Sequence, residues 1–145
     1  MTPAAPPSEL NPLSDADEIC RMSAVALSRA FADRSLSPVE ATRAALARAE
    51  AIDRRYNAFT AFYGDDALAA AVESERRWRA GAPLSPIDGV PTTIKDIVYV
   101  EGKTISYGSR ASEPVVASRD APSAAGLRKA GSSRERGRAR WAGGG

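Results

Sequence analysis

The stretch that most constrains this chain runs from Pro86 to Val100, PIDGVPTTIKDIVYV. Asp88-Gly89 is a turn pair, and the prolines that bracket it keep the chain extended. From Thr92 to Val100 nearly every residue is β-branched or aromatic, which predicts a mostly covered strand. Lys95 and Asp96 interrupt that run. Burying a lysine in an apolar strand is costly, so Lys95 either reaches water or has a use. On pattern alone a solvated face or a guarded sheet edge explains it best.

The rest of the chain predicts helices. Apolar residues at Val25, Leu27, Ala30 and Phe31 suit a short helix over Ser23–Asp33. Ser37-Pro38-Val39-Glu40 is a helix start: Ser37 caps, Pro38 takes the first helical position, and Glu40 returns a bond to Ser37. That helix runs to about Arg54 and buries Val39, Leu46, Ala49 and Ile52. Tyr56 to Phe62 alternates in the manner of a short strand. Asp65-Asp66 reads as the acidic first turn of another helix, with Leu68, Ala71, Val72, Glu75 and Trp78 at helical spacing and Gly81 ending it. Thr104, Ser106, Tyr107 and Ser109 form a polar loop, and Asp120 with Pro122 predicts a final, weak helix.

Composition excludes several kinds of chemistry. The chain has one cysteine, Cys20, and no histidine, so a Ser-His-Asp triad is impossible and an intrachain disulfide cannot form. Any base must be a lysine, a carboxylate or a tyrosine. The lone cysteine fits a reducing, cytoplasmic setting. The N-terminus lacks the pattern of a signal peptide, and no apolar run reaches the length of a membrane span. Across 145 residues the net charge is +2, too balanced to point to nucleic acid. The charge is uneven, however: residues 127–145 carry +5 and residues 1–126 carry −3.

The order PIDGVPTTIKDIVYVEGKTISYGSRA, then DAPSAAGLRKAG, resembles the N-terminal part of the amidase signature family over about residues 23–131. That resemblance implies an α/β fold, a mixed sheet flanked by helices, of which this chain holds the opening part. It implies a hydrolase of carboxamide C–N bonds that uses a Ser–cis-Ser–Lys triad on a small-molecule amide, with no cofactor. Lys95 matches the family's lysine, which in the intact enzyme is a buried neutral base, a state favoured by desolvation. A proton passes through the cis-serine from the nucleophile, and a glycine-rich loop holds the oxyanion.

The resemblance fades at Gly131. Residues 132–145 are rich in Arg and Gly, without the apolar strand the family pattern continues into, and a slipped reading frame would produce such a run. The family's serine pair lies further on than position 145; Ser132-Ser133 lacks its flanking glycines. The chain alone is therefore expected to be inactive, with the Thr92–Val100 strand short of neighbours and prone to aggregate. Three regions are expected: a flexible leader over 1–22, a partial amidase-signature domain over 23–131, and a disordered basic tail over 132–145. The alternative is a small non-catalytic binding protein whose tail contacts nucleic acid.

Overall fold

The computed structural model describes residues 15–105, 107, 111, 113–132 and 134–135. Five helices carry most of it: α1 (Asp15–Arg21), α2 (Ala24–Asp33), α3 (Pro38–Tyr56), α4 (Gly64–Arg79) and α5 (Pro122–Lys129). Four strands of two residues each accompany them: β1 (Thr92–Thr93), β2 (Thr104–Ile105), β3 (Val115–Val116) and β4 (Arg134–Glu135). β1 pairs in parallel with β4, and β2 pairs antiparallel with β3. The class is α/β, as expected, although the described residues hold two small sheets where one mixed sheet was anticipated.

The helix ends follow their local sequence. Ser23 caps α2 by accepting from the Ala26 N–H at 3.1 Å. Ser37 and Glu40 form the reciprocal capping box, with bonds of 3.1 and 2.8 Å, and Pro38 opens α3. α4 begins with Asp65 and Asp66 in its first turn. It closes with the Gly81 N–H donating to the Trp78 carbonyl and the Ala82 N–H to that of Arg77, while Gly81 takes a left-handed φ of 67°. This is the two-bond C-terminal motif for which glycine is best suited. α5 ends the same way at Gly131.

Four expectations need correction. Residues 15–21, assigned to a flexible leader, form α1, which packs on α3 and ties to it through Asp17 and Arg48 at 3.1 Å. Ile19 and Met22 supply the apolar reason, resting on a cluster of Leu27, Phe31, Ala41 and Val90. Of the strand anticipated over Tyr56–Phe62 only an isolated β-bridge at Phe59 forms; Tyr56 is still helical, and Phe59 and Phe62 hold each other at 5.1 Å between ring centres. The strand anticipated over Thr92–Val100 stops after Thr93, because a turn closes with the Val98 N–H donating to the Lys95 carbonyl. Asp120 does not cap α5: Ala121 stands there, and the Asp120 carboxylate instead accepts from the Glu101 N–H and pairs with Arg128 at 2.5 Å.

The buried stripes also differ from the apolar pattern. On α3 the buried residues are Pro38, Ala41, Thr42, Ala44 and Ala49, whereas Val39, Leu46 and Ile52 are only half-buried. On α4 they are Ala67, Ala71 and Ser74, and Val72 faces outward. Small side chains let two helices approach closely, so alanine takes the interface and larger residues line its margins. A second cluster, Ile94, Val100 and Ala124 with Val98 and Leu127, seats α5 on the segment after β1.

Candidate active site

The segment that carries Lys95 leaves β1 with its side chains alternating. Ile94 and Asp96 are buried, while Thr93, Lys95, Ile97 and Tyr99 are exposed. The inward residues explain the alternation, since Ile94 anchors the cluster under α5. Lys95 is thus exposed, at the start of the turn that the Val98 N–H closes on its carbonyl. The lysine that the resemblance places in a buried site is exposed in this chain, because no layer of the described residues covers it. Tyr99 reaches a second tyrosine, Tyr107, with hydroxyls 2.7 Å apart. That hydrogen bond to Tyr99 raises the Tyr107 phenol above its ordinary range. Ser106 and Ser109, the other hydroxyls of the polar loop, lie outside the described residues, as does Ser133.

Immediately before β1 lies a buried ionic hub that sequence reasoning reduced to a turn. Asp88 has no exposed surface. Both of its carboxylate oxygens accept from the Arg77 guanidinium at 2.7 Å, and the Leu84 N–H adds a third bond at 2.9 Å. Its carbonyl accepts from the Trp78 indole at 2.9 Å. Burial pushes the carboxyl up, but Arg77 and the Leu84 N–H outweigh it and hold the group below the ordinary carboxylate range. The Ser74 hydroxyl, outside hydrogen-bond geometry yet beside the carboxylate, favours the anion as well. The Arg77 guanidinium is raised in turn by its bonds to Asp88.

The hub joins two helices, α4 and α5, to the strand. Arg77 and Trp78 come from the end of α4, and the Gly89 N–H donates to the Gly131 carbonyl at 2.9 Å. The Ser85 hydroxyl donates to the Ala130 carbonyl at 2.7 Å, which fastens the end of α5. A β-carbon at Gly131 would stand 2.3 Å from an Asp88 oxygen, and one at Gly89 would stand 2.4 Å from Ser74 Oγ. Both glycines also have left-handed φ, so both positions require glycine for space and conformation. The only sequence signal for this hub was the Asp-Gly pair, which gives no hint of a partner eleven residues earlier.

Ser132 stands apart from the tail assigned to it. It is buried, shares a hydrogen bond with Thr92 Oγ1 at 2.7 Å and donates to the Val90 carbonyl at 2.8 Å. The next described residues, Arg134 and Glu135, pair with Thr92 and Thr93. The strand neighbour thought missing therefore exists, and the ordered unit extends past Gly131. With its hydroxyl spent on β1, Ser132 supports the strand. The rest of the anticipated basic tail, 136–145, lies outside the described residues.

Comparison with known proteins agrees with this geometry. The family model described as Amidase matches residues 40–133. A glutamyl-tRNA(Gln) amidotransferase subunit of Geobacter sulfurreducens is 45% identical over 101 residues, covering 70% of this chain and 21% of that protein. Its counterpart in Myxococcus xanthus is 43% identical over 95 residues, covering 66% of this chain and 20% of that protein. Among solved structures, the peptide amidase of Stenotrophomonas maltophilia superposes with a TM-score of 0.74 at 28% identity, over 83% of this chain and 25% of that one. Fatty acid amide hydrolase, at 22% identity, shares the fold with a TM-score of 0.77 over 90% of this chain and 22% of that one. The chain spans about a fifth of the length of the curated relatives it matches. Among the described residues no helix is long and apolar enough to cross a membrane. With α4, α5, the hub and the lysine segment inside the matched region, the chain belongs to the amidase signature family.

Proposed function

We propose that this chain supplies the lysine-bearing opening part of an amidase that hydrolyses carboxamide C–N bonds by a Ser–cis-Ser–Lys mechanism, with Lys95 as the base. The observation that carries the reading is Lys95, two residues beyond β1 and within the matched segment, exposed between the buried Ile94 and Asp96. A base must be fixed by its surroundings yet face the reacting groups, and the hub and the Ile94 cluster provide the first condition. In the assembled enzyme Lys95 is covered by the serine-bearing part of the fold. Closure removes water from around Lys95 and favours its neutral form, which takes the nucleophile's proton through the cis-serine. By itself the chain holds a base without nucleophile or oxyanion donors and has no amidase activity.

The test is to fuse residues 1–135 to the remaining part of the Geobacter sulfurreducens amidotransferase protein in one polypeptide and assay ammonia release from glutamine and from simple carboxamides. The fusion is expected to hydrolyse an amide, and Lys95→Ala to lower kcat about 100- to 10,000-fold, the usual worth of a general base. The unfused chain is expected to release no ammonia. A Lys95→Ala fusion as active as its parent rejects the assignment of Lys95.

A further inference from the structure

The chain has four tyrosines, Tyr56, Tyr63, Tyr99 and Tyr107, and they fall into two electrostatic classes. Cations lie over the first two: the Arg55 guanidinium stands 5.2 Å from the Tyr56 ring centre, and the Lys103 ammonium 4.0 Å from that of Tyr63. A positive charge on a ring face opposes the loss of an electron from that ring. Among the described residues no cation lies over Tyr99 or Tyr107. Tyr107 instead feels the negative charge of Asp96, which favours electron loss. The hydroxyls of this second pair share a hydrogen bond of 2.7 Å, and the two residues are 42% and 45% exposed. Tyr107 holds its place with a left-handed φ of 53°, a conformation uncommon for such a side chain.

Two phenols in contact, free of an overlying cation and open to solvent, are set for oxidative coupling. We propose that Tyr99 and Tyr107 form a modification site, at which a peroxide-driven one-electron oxidant makes a dityrosine cross-link. Each phenol gives up one electron and its hydroxyl proton. The two radicals join through ring carbons ortho to oxygen, and the hydrogens on those carbons pass to the oxygens. One carbon–carbon bond forms, and the two electrons and two protons that leave reduce one peroxide to two waters. With the hydroxyls in contact, the coupling carbons lie two bonds from the contact on either side, so the reacting groups are already gathered. The link closes the loop that holds the Gly102 turn and β2, and fastens it to the segment that follows Lys95.

The full chain, with Cys20 alkylated because an exposed thiol oxidises first, is treated at micromolar concentration with hydrogen peroxide and a haem peroxidase. The expected product is a monomer lighter by two hydrogen atoms. Trypsin cuts at Lys103, between the two tyrosines, so mass spectrometry should find the peptides 96–103 and 104–110 joined. Tyr99→Phe and Tyr107→Phe are each expected to lower the yield at least about tenfold, since coupling then requires an encounter in place of a held pair. Tyr56→Phe, at an exposed ring under a cation, leaves it unchanged. Circular dichroism confirms that each variant keeps its helices. A synthetic peptide of residues 96–110 carries the same two tyrosines without the fold, and is expected to couple at least about tenfold less. Equal coupling in the peptide overturns the inference, because nearness in sequence would then suffice. Absence of the joined peptides overturns it too, as do links that mainly join two chains, or that use Tyr56 or Tyr63 as often as Tyr99 and Tyr107.

Discussion

The Asp88 hub and the Lys95 segment are seven residues apart in sequence, and physically they are opposites. Asp88 is wholly buried, three times bonded through its carboxylate, and crowded by Gly131. Lys95 is exposed at the start of an irregular turn. The difference shows how one short stretch divides its labour. The part before β1 locks two helices to the strand, and the part after it leaves Lys95 exposed. Stability and activity should therefore respond to different residues.

Asp88→Ala should break the hub with the largest effect. Removing the carboxylate loses its three bonds to Arg77 and the Leu84 N–H, while the half-buried Arg77 can still reach water, so the cost is about 3 kcal/mol, read as a fall in the urea midpoint. Gly131→Ala comes next, about 2–3 kcal/mol, from overpacking against Asp88 and the left-handed backbone. In an Asp88→Ala background the clash is relieved, and the same change should cost only about 1 kcal/mol. Additive losses in the double variant would contradict the crowding at the hub.

Acid sharpens the comparison further. The Asp88 carboxyl is held below its unfolded value of 3.8, so between the two values the unfolded chain binds more protons. The contribution is complete above the unfolded value and is lost as pH falls through the folded one. Stability measured by urea titration should therefore drop below about pH 4 in the parent, and more shallowly in Asp88→Asn. Smallest of all is Lys95→Ala, expected to shift stability by no more than about 0.5 kcal/mol. A Lys95→Ala chain destabilised as much as Asp88→Ala would mean that the two regions are not separable.

The sequence by itself determined the features set within three or four residues. Ser37, Pro38 and Glu40 lie within one turn, so the start of α3 was legible, and Gly81 marked the end of α4 because its left-handed backbone favours glycine. Lys95 was picked out by a contrast equally local, a charge inside an apolar run, together with the family motif around it. What only the tertiary structure decided depends on groups far apart along the chain. Arg77 found Asp88 across a turn, and Arg134 found Thr92 across a gap that contains α5. Leading residues became α1 because α3 offered a surface and Asp17 an ion pair. Alanines displaced larger apolar residues from the buried stripes because helix spacing, which no single helix encodes, rewards small side chains. The exposure of Lys95 belongs to the same class: burial depends on which layers are present, and a residue's own neighbours in sequence do not decide it.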